Sequence, residues 1–165
     1  MYRWANAEHT LIADDETGIS IPAVAGNRHY DEIAASGAQI ASFQSPALTA
    51  SDVNAERDRR MALFTFQGKS YDFDPDSQTN IAGAGTLAFA AIVNGKQPGD
   101  LRWADVDRDF GWIAHDNTVT LMDAPTCFAF ATAAANYKSA LIFKARTIKN
   151  LSPIPADYAN DARWT

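Results

Sequence analysis

The stretch 64–93, FTFQGKSYDFDPDSQTNIAGAGTLAFAAIV, contains in order the signals of a β-hairpin and of a long helix. Residues 64–66 and 71–73 alternate bulky and polar side chains on either side of a Gln-Gly pair, as the two strands of a hairpin do. Asp74-Pro75 then supplies a capping side chain with proline at the first helical position, and Asn94-Gly95 is a stop signal. The stretch therefore predicts a hairpin–helix unit.

The same order of signals occurs a second time, between residues 112 and 150. The predicted strands are 112–114 and 119–122, and Asp123-Ala124-Pro125 begins the next helix. The apolar residues of this helix are spaced by threes and fours: Cys127, Phe130, Ala131, Ala134, Tyr137, Leu141, Ala145 and Ile148. We expect the two units to pack helix to helix in one small α+β domain. The joining segment 96–109 is predicted to be a loop anchored by Trp103.

Two further helical features are predicted for this domain. A polar surface helix over residues 52–62 precedes the first hairpin, and Thr49 or Ser51 can cap it. In the helix after the first hairpin, the glycines of segment 81–85 do not follow a strand as those of a phosphate loop do. We expect these small residues to allow another helix to approach closely. The apolar line of that helix is predicted to be Ile81, Ala84, Leu87, Ala88, Ala91 and Ile92.

The two ends of the chain are predicted to be arms around this domain, residues 50–150. Residues 1–46 are a β-rich docking arm with strands near 2–4, 10–12 and 17–22 and a helix over 29–36. Residues 151–165 are an extended, irregular tail because they contain two prolines. Both arms have too few apolar residues to make a core of their own, yet they carry five aromatic residues that we expect to contact partners: Tyr2, Trp4, Tyr30, Tyr158 and Trp164. The alternative is that the arms fold back on their own domain.

Composition and charge exclude several classes of function. The chain of 165 residues has a net charge of −6, so a phosphate backbone is repelled on average and nucleic acid is not an expected partner. The longest uncharged apolar run, 81–93, is too short to cross a bilayer, and no signal peptide is recognised. The one cysteine, Cys127, is predicted to be a buried thiol. We expect a soluble cytoplasmic product that does not bind membranes.

No catalytic centre, cofactor site or metal site is predicted. Carboxylates alternate in segments 72–76 and 105–109, but a calcium loop requires a glycine at position six and a carboxylate at position twelve. These positions are Ser77 and Gly83 in the first segment and Phe110 and Asp116 in the second, so neither segment fits. His9, His29 and His115 lack metal-ligand spacing. We therefore expect a protein that binds other proteins and is not an enzyme.

Several motifs between residues 53 and 148 resemble a domain of unknown function found at the C-terminal end of tail-fibre and tail-associated proteins of bacteriophages and prophages. The motifs are the Asn-x-x-Arg-x-x-Arg start (Asn54, Arg57, Arg60), the Phe-Thr-Phe-x-Gly hairpin, Asn80-Ile81-Ala82-Gly83, the Trp-Ile-Ala-x-Asp-Asn segment at 112–117 and the alanine-rich last helix. A looser similarity to phage tail proteins lies in Ile21-Pro22, Asn27, Tyr30 and the helix ending at Gly37.

The resemblance implies a structural component of a bacteriophage virion. It would be a tail protein, associated with the fibre or baseplate, and would be made in the cytoplasm of the bacterial host. Its partners would be other virion proteins, within a homo-oligomer or another symmetric assembly. A fibre-assembly chaperone and a capsid cement or decoration protein remain open as alternatives. The resemblance implies no active-site residues. The chain also has no heptad run of the kind that forms a fibre shaft.

Overall fold

The computed structural model describes all 165 residues and divides the chain into two compact units, Met1–Ala47 and Leu48–Thr165. The division falls in the linker between the predicted N-terminal arm, residues 1–46, and the predicted domain, residues 50–150. The first unit is a four-stranded sheet with one helix, and the second unit contains both predicted hairpin–helix pairs.

The sheet of the first unit has the strand order β3-β2-β1-β4. Its strands are β1 (Tyr2–Trp4), β2 (Leu11–Asp14), β3 (Ser20–Pro22) and β4 (Ile40–Ala41). β1 pairs antiparallel with β2 and parallel with β4, and the crossover to β4 contains helix α1 (Arg28–Ser36). The Asn27 side chain caps α1, and Gly37 ends it at a φ of 67°, a conformation that favours glycine.

The first unit has a small core of its own, which corrects the expectation that the N-terminal arm lacks one. Ile12, Ile21 and Ile33 are all at most 5% exposed and come from β2, β3 and α1 respectively. The aromatic residues Tyr2, Trp4 and Tyr30 pack around them. The sequence does not reveal this core because the three isoleucines are far apart in the chain and only the sheet and its helix bring them together.

The second unit is an α+β domain built from two hairpin–helix pairs, as predicted. Its elements in order are α2 (Ala50–Arg60), β5 (Leu63–Phe66), β6 (Lys69–Asp72), α3 (Pro75–Val93), β7 (Gly111–Ile113), β8 (Val119–Leu121) and α4 (Ala124–Lys149). Asp74 and Asp123 cap α3 and α4 through side-chain bonds to backbone amides. Gln67 and Gly68 both have positive φ angles, of 49° and 77°, which suits the tight turn of a two-residue hairpin.

Aromatic side chains of the two hairpins meet on α4. The Phe130 ring is fully buried and lies 4.8 Å from the ring of Tyr71 and 5.4 Å from that of Trp112, centroid to centroid. Trp103 is also buried, and its Nε1 donates to the carbonyl oxygen of Met122 at 2.9 Å, so the joining loop is anchored as predicted. One core prediction is wrong: Leu87 is 63% exposed because it lies on a flank of α3 that faces away from α4.

Helices α3 and α4 pack closely where both carry small residues. A Cβ atom built on Gly85 would lie 2.4 Å from the Cβ of Ala131, a distance that real Cβ atoms do not reach. One turn further along α3, the Phe89 ring lies 5.6 Å from that of Phe128, so the two helices run antiparallel. This contact confirms that the small residues of α3 allow another helix to approach.

The C-terminal segment is irregular but not extended, which corrects the predicted tail. A short 3₁₀ turn (Asp161–Arg163) places Trp164 in the core of the second unit, where it is only 7% exposed. Arg60 at the end of α2 lies over the Trp164 ring at 5.0 Å and also pairs with Asp161 at 2.8 Å. The Lys144 ammonium donates to the carbonyl oxygen of Thr165. The prolines prevent a long helix, but they do not prevent the chain from turning back.

We predict that Trp164→Ala destabilises the second unit by about 3 kcal/mol, as removal of a buried tryptophan does. Leu151→Ala in the same segment is the control, because Leu151 is 42% exposed. Urea unfolding of both variants provides the measurement. Equal stability of the Trp164 variant and the parent protein would mean that the C-terminal segment does not belong to the core.

We predict that Gly85→Ala destabilises the protein by about 1–2 kcal/mol, because the new methyl group forces α3 and α4 apart. Gly83→Ala is the matched control on the same helix, since nothing lies within 4 Å of a Cβ built there. The control variant should be more stable than the parent by up to about 1 kcal/mol, the difference in helix propensity. Urea unfolding measures the change in the free energy of unfolding for both variants. Changes of opposite sign would identify the contact, and changes of equal sign would contradict it.

Candidate protein–protein interface

Three of the predicted contact residues, Tyr2, Trp4 and Tyr30, lie around the small core of the first unit. All three are half-buried, and the Trp4 ring stacks on that of His9 with their centroids 4.6 Å apart. These rings therefore stabilise their own unit and keep part of their surface exposed. Their contact with a partner stays a prediction.

The other two predicted contact residues, Tyr158 and Trp164, pack within the second unit. The Nε1 of Trp164 donates to the carbonyl oxygen of Tyr158 at 2.8 Å, and Arg60 covers the Trp164 ring. Because Trp164 is only 7% exposed, it has almost no surface to offer a partner. The expectation that Trp164 is a free anchor is wrong, and the alternative of a segment folded back on its own domain is correct.

The residues of the Asn-x-x-Arg-x-x-Arg motif make contacts within the domain. The Oδ1 of Asn54 accepts hydrogen bonds from Arg57 at 3.3 Å and from Lys149 of α4 at 2.8 Å. Arg60 donates from Nε to Glu56 at 2.7 Å and from Nη2 to the carbonyl oxygen of Ala159 at 2.9 Å. The motif therefore ties α2 to α4 and to the C-terminal segment, and its role is to hold the domain together.

Glu56 is the one charged residue buried in the protein, at 8% exposure. Hydrogen bonds from Arg59 lower the pKa of its carboxyl group and exceed the opposite effect of burial; the bond from Arg60 also lowers it. Arg59 makes two of these bonds, both at 2.7 Å, and Arg60 makes one. Glu56 is thus held in its charged form and contributes stability as long as it stays ionised.

The residues that could carry chemistry are dispersed. Cys127 is fully buried, and burial raises the pKa of its thiol to about 11. The Nδ1 of His115 lies 2.7 Å from Asp72, which links the second hairpin to the first on an exposed surface. In the loop, Asp105 accepts from the backbone amide of Asp107 at 2.9 Å. No three His, Cys, Asp or Glu side chains are grouped as metal ligands would be.

A shallow groove lies between α3 and α4 on the surface of the second unit, and we call it the helix groove. Its volume is about 360 Å³, and more of its wall is apolar than polar. Gly85 and Ala131, at the close contact of the two helices, form its floor. The lining residues are Ala82, Gly85, Thr86, Phe89, Phe128, Ala131, Thr132 and Ala135.

The helix groove has bulky side chains at one end and small ones at the other. Phe89 and Phe128 form the bulky end and are 54% and 41% exposed, respectively. Ala82 and Ala135 lie at the opposite end, two helical turns away. No charged residue occurs from residue 77 to 95 or from 124 to 137, so the whole groove is free of charge.

Sequence reasoning missed the helix groove, although a signal for it exists. Along α3 the exposed residues Ala82, Thr86, Phe89 and Val93 follow one another at intervals of four, three and four. Along α4, Phe128, Thr132, Ala135 and Ser139 do the same. This is the spacing of a coiled-coil seam. It is difficult to see in the sequence because five of these eight positions are alanine, serine or threonine.

The pKa of Glu56 leads to a pH prediction. The pKa of Glu56 in the folded protein lies below its ordinary value of 4.5. The ionised Glu56 carboxylate therefore contributes its full stabilisation above pH 4.5 and loses it as the pH falls through the folded-state pKa. Glu56→Gln should cost about 1.5–3 kcal/mol at pH 7. The cost should decrease when the pH is lowered well below the ordinary value.

Urea unfolding of Glu56→Gln at neutral and acidic pH measures this difference. Asp58→Asn is the control, because Asp58 lies on the same helix, is 63% exposed and bonds only to the adjacent Arg57. The control should behave like the parent protein at both pH values. A cost for Glu56→Gln that is the same at both pH values would contradict the assigned role of the charged form.

Comparison with known proteins identifies one family. No helix of the protein combines the length and the apolar character needed to cross a membrane. No curated protein and no solved structure matches the chain. The family match covers residues 44–163, from the linker through α4 to the C-terminal segment, and therefore includes the helix groove. The chain belongs to the family described as Domain of unknown function (DUF4376).

Proposed function

We propose that this protein is a structural component of a bacteriophage virion, a tail protein at the fibre or baseplate that acts by contacting other virion proteins. The observation that carries the proposal is the helix groove, an exposed and uncharged surface on two long helices. The resemblance of residues 53–148 to domains of phage tail-fibre proteins supplies the biological setting.

The exposed surface of the helix groove supports a role in binding proteins. The rings of Phe89 and Phe128 contact each other and are both about half exposed, and Val93, one turn beyond Phe89, is 70% exposed. Contiguous apolar patches on a soluble domain commonly mark interaction sites. Aromatic side chains at the centre of such patches are the usual sources of binding energy.

The contacts of the family motif agree with a structural role. Asn54 and Arg60 join α2 to α4 and to the C-terminal segment, and Arg57 bonds to Asn54 within α2. They would keep the domain intact while the helix groove and the aromatic residues of the first unit meet neighbours. We therefore propose binding without catalysis, in which the rigid second unit presents its surface to the assembly.

Mass spectrometry of gradient-purified phage particles tests the proposal. We expect the protein in intact particles and in isolated tails, at a constant ratio to a known tail protein. An assembly chaperone would be found in the infected-cell lysate and not in particles, and a cement protein would be found with tailless capsids. Either of these results would overturn the proposed position in the tail.

A further inference from the structure

We infer that the helix groove binds a second copy of this chain, so that two α3–α4 pairs related by a two-fold axis form a four-helix bundle. The inference rests on the proposed function, because it names the partner of the surface on which that function depends. Two properties of the groove favour a second copy: its shape and its lack of charge.

The shape of the groove is complementary to itself. A two-fold axis through its middle, near Thr86 and Thr132, exchanges its two ends. The bulky end with Phe89 and Phe128 in one copy would then lie on the small end of the other copy. Contacts of this kind, in which the same patch is used by both subunits, are the rule in two-fold dimers. The four-three spacing along both helices is the one that allows helices to interdigitate in a bundle.

The lack of charge removes the usual obstacle to self-association. The chain has a net charge of −6, so two copies repel each other over most of their surface. Near a two-fold axis, any charge also meets the same charge of the partner. The helix groove contains only Gly, Ala, Thr and Phe, so two copies can meet there without like-charge repulsion.

The two rings at the bulky end give the contact an apolar centre. The exposed fractions of Phe89 and Phe128 are 54% and 41%, which together equal about one complete side chain. At roughly 150–250 Å² for a complete aromatic side chain, they expose on the order of 200 Å² in each copy. A two-fold contact would cover this area twice, once on each copy.

Sedimentation equilibrium of the full chain over a range of concentrations tests the inference. We expect a monomer–dimer equilibrium, and Phe89→Glu should raise the dimer dissociation constant at least about 30-fold, as loss of a hot-spot residue does. Leu87→Glu is the matched control, because Leu87 is on the same helix and more exposed, at 63%, but does not line the groove. The control should dimerise like the parent. Circular dichroism should show that both variants are folded.

A cross-linking experiment tests the position of the axis. Thr132→Cys should form a disulfide-linked dimer under mild oxidation, and Leu87→Cys should not; Cys127 does not interfere because it is fully buried. A monomeric parent protein at every concentration would overturn the inference, and so would equal effects of the Phe89 and Leu87 variants. If the monomer is nevertheless found in phage tails, the proposed function stands and another virion protein occupies the groove. If a dimer forms and no particle contains the protein, the proposed function fails and the dimer remains.

Discussion

The close approach of α3 and α4 at Gly85 and Ala131 is the contact on which the second unit depends. It brings the two helices together without room for even one additional methyl group. Each helix follows its own hairpin, and aromatic residues of both hairpins converge on Phe130 of α4. The opposite side of the same helix pair is left as the helix groove.

The close contact and the groove have a common origin in residue size. Glycine and alanine allow the helices to approach, but they leave a shallow channel on the outer surface because they have almost no side chains to fill it. Phe89 and Phe128 border this channel at one end and are only partly buried. The composition that holds the domain together thus also creates a shallow, uncharged surface.

The C-terminal segment completes the domain from the other side of α4. Arg60 is central to this arrangement because it contacts Glu56 on its own helix, Asp161 and the Trp164 ring. An arginine can make several such contacts at once, since its planar group donates at its edges and stacks through its face. The segment is thereby part of the domain, and the aromatic residue at its end is used for stability. Aromatic surface stays exposed at the helix groove and at the half-buried rings of the first unit.

The sequence by itself determined the elements of the protein and their order. Capping residues such as Asp74 and Asp123, the Gln-Gly turn and the three-four spacing in α4 act locally, so hairpins and helices could be recognised within residues 62–150. Tertiary structure alone decided which side of each element is covered. Leu87 fits an apolar line yet is exposed, whereas Trp164 follows prolines yet is buried, because both outcomes depend on contacts with residues distant in the chain. The helix groove likewise depends on tertiary structure. Its two walls come from segments about 40 residues apart, and only the packing of those segments produces it.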